Sequence, residues 1–227
     1  RLVGAVSGHV DDLGATGTSG FVPWLHSSAE AKFGPVRLEQ GTYLHVGLQY
    51  RNLPYGEKTV DCEDFIDQIP YAEVPKDRKA PLNADGMFQL QSATGSMSYA
   101  VNAARPDGLG PVAVCAGLKA GTPTGEDLVF VNKTLELLKG NLRAKRLWYR
   151  TLRTKSKKLT AVGDSSFKNI EAKYSLNGYL IFLMERWMPE DVGGRGHLLD
   201  FAARMAGRVS KSTFGAETLA ITTVSEV

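Results

Sequence analysis

Residues 176–184, Leu-Asn-Gly-Tyr-Leu-Ile-Phe-Leu-Met, narrow the possible folds of this chain more than any other run. Apolar β-formers follow one another there without a charge, which predicts a strand. Two shorter apolar runs flank it. Leu159 to Phe167 precedes it and carries Asp164 near its end; His197 to Ala203 follows a Gly-rich turn over 189–196. Ala206-Gly207-Arg208 then leads to Lys211-Ser212-Thr213-Phe214-Gly215-Ala216-Glu217-Thr218-Leu219-Ala220. Ser212 or Thr213 can cap a helix there, and Phe214, Ala216, Leu219, Ala220, Ile221 and Val224 recur at helical spacing. Strand, strand, strand, helix predicts an antiparallel three-stranded meander covered on one face by the helix, within an α+β fold.

Two acids sit on those elements. Glu217 precedes Ala220, Ile221 and Val224 by one to two turns, so its carboxylate falls on or beside the packing face. A carboxylate placed there either snorkels to water and favours the helix dipole, or finds a cation, a hydrogen-bond network or a proton. Asp164 alone reads as a strand-end turn former. Paired with Glu217, it becomes a candidate ligand of a divalent metal.

Upstream, two short apolar runs flank Asp11-Asp12, which predicts a hairpin with the acidic pair at or near its tip. Such a pair is either a solvated turn or a place where a divalent cation relieves like-charge repulsion. An amphipathic helix is expected over Pro23 to Phe33, a strand over Thr42 to Tyr50, a helix over Val60 to Ile69, and a Pro-rich loop over Pro70 to Asp85. Met87 to Ala104 reads as a helix stopped by Arg105-Pro106-Asp107, with Asp107 a candidate cap for a second helix ending at Gly121. Thr124-Gly125-Glu126-Asp127 has capping-box form and opens a third helix, with Leu128, Val131, Leu135 and Leu138 on one stripe before Gly140.

The 227 residues carry a net charge of only +3, but its distribution is uneven. Eight Lys or Arg residues lie between Arg143 and Lys158 (Arg143, Lys145, Arg146, Arg150, Arg153, Lys155, Lys157 and Lys158), and no acid lies between Gly140 and Gly163. Leu147, Trp148, Tyr149 and Leu152 interleave with them. Cations mixed with aromatics can neutralise phosphates and stack on bases. The other reading is a solvated basic face over a buried Leu-Trp-Leu stripe. Cys62 and Cys115 lack metal-type spacing, no run has the length of a membrane helix, and no signal peptide opens the chain. A reduced intracellular setting is the expected default, rather than secretion or a membrane. Both ends read as cut from something larger.

Taken in order, the motifs resemble the Pol polyprotein of copia-like LTR retrotransposons. Gly163-Asp164-Ser165-Ser166-Phe167, Asn177-Gly178-Tyr179-Leu180-Ile181-Phe182-Leu183 and Ser212-Thr213 to Glu217-Thr218-Leu219-Ala220 resemble the ribonuclease H domain of that family. Tyr99 to Asp107 and Leu118 to Gly140 resemble its connection segment. Phe33-Gly34 and Gly41 to Tyr50 resemble the region after the polymerase palm. His9-Val10-Asp11-Asp12 resembles the reverse-transcriptase Tyr-x-Asp-Asp motif, with His9 in the Tyr position. The resemblance implies the end of a palm over 1–52, a mostly helical thumb and connection over 53–150, and a C-terminally truncated ribonuclease H-like domain over 151–227.

It also implies activities: RNA-directed DNA synthesis and hydrolysis of the RNA strand in RNA–DNA hybrids, with Mg²⁺ or Mn²⁺ as cofactor. Asp11 and Asp12 would serve the polymerase and Asp164 with Glu217 the nuclease, as catalytic and metal-ligating acids. Two-metal chemistry holds cations about 4 Å apart to stabilise attacking and leaving oxygens. Expected partners are an RNA template with a DNA primer, the hybrid, and the rest of the polyprotein. Further acids are expected before Arg1 and beyond Val227, so the chain alone is not expected to add nucleotides. The alternative is a non-catalytic remnant that binds nucleic acid through the basic segment.

Overall fold

Leu128, Val131, Leu135 and Leu138 are fully buried, and the stripe they form is the centre of the molecule. A computed structural model describes residues 2–9, 12–140, 146–153, 155–166, 176–186 and 194–205. The stripe lies on α5 (Gly125–Lys139), which opens as expected: the Thr124 amide donates to the Asp127 carboxylate at 2.7 Å. Against α5 pack α3 (Ala84–Ala103) and α4 (Leu109–Leu118), through Leu90, Met97, Val101, Val112 and Cys115. A Leu→Ala change at such a site costs about 2–5 kcal/mol. The Pro-rich segment before α3 is a loop as expected, and the side chain of Asn132 brackets Ala72, reaching its amide and carbonyl at 2.8 Å each.

Arg105 ties the three helices together. It is 1% exposed. Its Nε and Nη2 donate to the two oxygens of Asp107 at 2.8 and 3.0 Å, and its Nη1 donates to the Leu138 carbonyl at 2.9 Å. The charge therefore has a bidentate counter-ion and also caps the C-terminal end of α5, where the helix dipole favours a cation. Asp107 does not cap α4. It lies in a 3-10 turn, Pro106–Gly108, where its carboxylate serves Arg105 instead. Gly108 lets this turn close on α5: a Cβ there would come within 2.4 Å of Leu138 and 2.8 Å of Val101.

The N-terminal third is strand-rich. β1 (Gly4–His9) and β2 (Asp12–Gly17) form the expected hairpin, with His9 opposite Asp12. Gly4 and Gly17 face each other beneath Phe21, so close that a Cβ would come within 2.2 and 2.6 Å of its ring. Phe21 opens α1 (Phe21–Phe33), which buries none of its residues. The single strand expected over Thr42 to Tyr50 is instead a hairpin, β3 (Thr42–His45) and β4 (Leu48–Asn52). Val46 and Gly47 reverse the chain with φ of 50° and 69°. Left-handed geometry is costly for a β-branched residue, and the Tyr99 hydroxyl helps hold it by donating to the Val46 carbonyl. The helix expected over Val60 to Ile69 is confined to α2 (Glu63–Asp67). Residues before it form β5 (Lys58–Asp61), because Thr59 and Val60 find ladder partners on both sides.

β6 (Leu147–Tyr149) completes a four-stranded antiparallel sheet, β3-β4-β5-β6, which joins strands on both sides of residue 52. The second sheet is the expected meander, β7 (Lys157–Ser166), β8 (Leu176–Glu185) and β9 (Gly196–Met205). A β-bulge displaces the β8–β9 register beside Phe182. The helix that packs on this sheet among the described residues is α4, which meets β9 and β8. Leu180, Leu198, Phe201 and Ala203 thereby join the helical core. The covering helix expected around Glu217 lies outside the described residues. The fold is thus α+β with antiparallel sheets, and no described helix is long and apolar enough to cross a membrane.

Both cysteines are unpaired and buried in the core. Burial pushes the Cys62 thiol from 9.0 up to about 12, with only partial relief from the Arg105 guanidinium. Burial also raises the Cys115 thiol. The folded chain therefore keeps a proton that the unfolded chain gives up near pH 9.0. This contribution to stability is intact below that pH and is lost as pH rises through the folded value. Urea midpoints are expected to fall as pH is raised above 9.0, and Cys62→Ala should make that fall shallower. A midpoint that rises over this range would contradict it. Arg105→Ala should cost about 3–5 kcal/mol in urea unfolding, because Asp107 and the Leu138 carbonyl lose a buried partner. A loss below about 1 kcal/mol would show that the clamp is dispensable.

Candidate functional site

The register of the meander places Asp164. Directly paired residues of antiparallel strands share a face, so Val162 and Asp164 lie on the same face as Leu180 and Gly178. The next pairs across are Leu180 with Phe201 and Gly178 with Ala203. This is the face on which α4 packs. Asp164 therefore stands on the core-facing side of the sheet, but on the outer strand and near its end, where it is exposed. Its cross-strand neighbours Gly178 and Ala203 leave its carboxylate room, and the nearby Val162 is 54% exposed. One carboxylate oxygen accepts from the amide of Ser165 at 2.7 Å.

The opposite face carries a different row. Ser165 pairs with Asn177, which pairs with Arg204. Ser165 Oγ and Asn177 Oδ1 are buried and have no hydrogen-bond partner among the described residues. Further along, the Tyr179 hydroxyl donates to Asp200 at 3.1 Å; burial raises its pKa first, and this contact adds to the rise. Asp200 is thereby engaged on the face away from Asp164.

The other expected acids do not join Asp164 in the described structure. Asp11 and Glu217 lie outside the described residues, and Asp12 is exposed at the start of β2. Among the described residues, no group of three or more His, Cys, Asp or Glu side chains could hold a metal ion. One exposed carboxylate, with an oxygen already bonded to its neighbour's amide, is not a Mg²⁺ or Mn²⁺ site by itself, since hard cations take six or more oxygens. Asp164 can contribute a ligand to such a site; it does not make one.

The basic segment divides by face. Arg143 and Lys145 lie outside the described residues. Arg146 turns inward, with Nη2 at 2.9 Å from Glu63 and both side chains largely covered. Leu147 and Tyr149 also turn toward the core, whereas Trp148, between them, is 47% exposed. The buried Leu-Trp-Leu stripe is therefore absent, because strand alternation puts the Trp outside. Arg150 lies over the Trp148 ring at 4.4 Å, and the indole Nε1 donates to Glu57 at 3.0 Å. Arg153, Lys155, Lys157 and Lys158 have exposed side chains leading into β7, and the Arg153 amide donates to Glu185.

Sequence reasoning missed Tyr55. It sits in a 3-10 turn, Pro54–Gly56, with left-handed backbone (φ 61°, ψ 22°), and it is 93% exposed. The signal was Pro-x-Gly between two strands, which marks a tight turn but not the strain on its middle residue. The Thr151 hydroxyl donates to the Tyr55 carbonyl, so the turn rests directly on the basic segment. No protein-family model matches this chain, and no curated protein matches it.

Proposed function

We propose that this chain is part of a copia-like Pol polyprotein, acting on RNA–DNA hybrids as the end of a reverse-transcriptase palm, a thumb and connection, and the front of a ribonuclease H domain. Its parent would carry out RNA-templated DNA synthesis and hydrolysis of the hybrid's RNA strand, inside the cell. The observation that carries this reading is Asp164, near the end of the first strand of a β7-β8-β9 antiparallel meander. A ribonuclease H front half needs an acid at that place. The ordered series from His9-Val10-Asp11-Asp12 to Glu217 adds to it.

Within that reading the strands around Asp164 have a task. The long β8 ladder fixes Asp164 relative to the core, so its carboxylate is presented without reorganisation. Gly178 keeps the neighbouring register position clear for a ligand. Mg²⁺ or Mn²⁺ would supply the charge stabilisation and water activation that such hydrolysis needs. Asp164 would be one ligand and Glu217 a second.

The test is cleavage of the RNA strand in a labelled RNA–DNA hybrid with Mg²⁺ or Mn²⁺, on this chain and on any longer polypeptide that contains it. Asp164→Asn and Glu217→Gln should each lower the rate by about 10²-fold or more, as expected for loss of a group that stabilises developing charge. Cleavage at the parent rate in both variants would sink the assignment.

A second reading, non-catalytic binding of nucleic acid, is favoured by the exposed Trp148–Arg150 pair. The structure separates two arginines that the sequence groups together. Arg150→Gln should weaken hybrid binding and reduce its salt dependence by about one phosphate contact. Arg146→Gln should instead lower thermal stability, because it leaves Glu63 without its partner. Equal effects of both on the salt dependence would show that the whole segment contacts phosphate regardless of face.

A further inference from the structure

We infer that Tyr55, Trp148 and Arg150 form a stacking platform for unpaired bases, so that this chain takes up single-stranded nucleic acid beside any duplex it holds. The inference deepens the proposed function and rests only on its nucleic-acid part. It does not depend on Asp164.

Tyr55 carries a strained backbone. Left-handed backbone is unfavourable for a bulky L-residue and free of cost for glycine. Strain of this kind persists only where the surroundings over-determine it. Here the Leu53 amide donates to the Glu57 carbonyl at 2.8 Å, the Glu57 amide donates to the Pro54 carbonyl at 3.4 Å, and Thr151 holds the Tyr55 carbonyl. Yet the ring is 93% exposed, so packing on the rest of the chain does not repay the strained backbone. The turn fixes the backbone beneath an aromatic ring that stands in water.

Trp148, Arg150 and Arg195 gather around this turn and the segment it rests on. Trp148 belongs to β6, next to β5, and its indole is anchored to Glu57 of the same turn. Arg150 covers the Trp148 ring at 4.4 Å. Arg195 joins from the start of β9: its Nη1 donates to the Thr151 carbonyl at 3.0 Å and lies 4.0 Å from Glu57. The one acid of the turn is thus already engaged by an indole N–H and a guanidinium. Beyond it runs a segment with no acid between Gly140 and Gly163.

Exposed aromatic rings with guanidinium groups, on a basic segment whose neighbouring acids Glu57, Glu63 and Glu185 each already accept a hydrogen bond, fit unpaired nucleotides. Every base offers a π-face to a ring, and each phosphate a site for a cation. A closed duplex buries its base faces in its own stack and can use only the cations. The chemistry therefore favours a single strand, such as a template overhang or the strand left when its complement is removed.

The test compares a short fluorescein-labelled oligo-dT strand with a blunt RNA–DNA hybrid of equal length, by anisotropy on the whole chain at low salt. Tyr55→Gly removes the ring and relieves the backbone. It should weaken oligo-dT binding about tenfold, as loss of one stacked base predicts, while the melting temperature holds or rises. Tyr55→Phe should bind like the parent, and hybrid binding should be the same in all three proteins. Undiminished oligo-dT binding by Tyr55→Gly, equal losses on strand and hybrid, or no oligo-dT binding by the parent would each overturn the platform. Failure of the active-site assignment has a different signature: hybrid cleavage that ignores Asp164→Asn, with the Tyr55 effects intact.

Discussion

Arg105, buried among the helices, governs how the described helical core is put together. Arg105 closes α3, reaches back to the carboxylate of Asp107 before α4, and donates to the last turn of α5. Placing a guanidinium in a core is expensive unless all its directions are met, and here carboxylate and carbonyl meet them. Its value is geometric as much as energetic. A bidentate fork fixes both distance and angle, so α4 leaves the turn in one direction relative to α3 and α5. Gly108 belongs to the same device, since any side chain there would displace Leu138 and Val101.

That fixed direction is what connects the helical core to the candidate site. α4 is the helix whose far side meets β9 and β8, and Phe201 and Leu180 complete the core from that side. The meander is therefore referenced to the helices by way of α4, and Asp164 is referenced to the meander by ten paired positions along β7 and β8. The two sheets also meet directly. Tyr149 and His197 pack edge to face with ring centroids 5.5 Å apart, and His197 Nε2 donates to the Arg150 carbonyl at 2.6 Å. The surface that carries Trp148 and Arg150 is thereby tied to the sheet that carries Asp164.

The elements legible in the sequence were those whose signals are local. The capping box at Thr124, the apolar stripe of α5 and the three runs of the meander depend on residue spacing alone, and all stand where their spacing puts them. The β3–β4 hairpin was not legible, because its reversal forces Val46 into a conformation that propensity argues against. It is held by Tyr99, a residue far along the chain. β5 was missed for a related reason. Val60, Phe65, Ile66 and Ile69 suit a helix by period, and ladder partners on β4 and β6 override that period for the first part. Asp107 looked like a cap because a cap is what an isolated sequence offers an Asp before a helix; a buried guanidinium offers it more. The site was legible in part. The strand and position of Asp164 follow from its run, whereas Asp11 and Glu217 fall outside the described residues.

Eight cations in sixteen residues suggest a uniform basic surface, but strand alternation and partner acids sort them. Arg146 is drawn to Glu63 and becomes part of the scaffold, while Arg150, two positions beyond the strand's first outward ring, is left over an exposed indole. The same sorting decides what the acids do: Glu57 accepts from Trp148 and lies 4.0 Å from the Arg195 guanidinium, so the charge of the only carboxylate in the Tyr55 turn is partly offset for a phosphate approaching Arg150. Affinity for a polyanion depends on the cations that remain unspent after such internal pairing, and specificity on which rings they leave uncovered. On both counts the decisive groups lie where the Tyr55 turn meets the basic segment: Arg150, and the exposed rings of Tyr55 and Trp148.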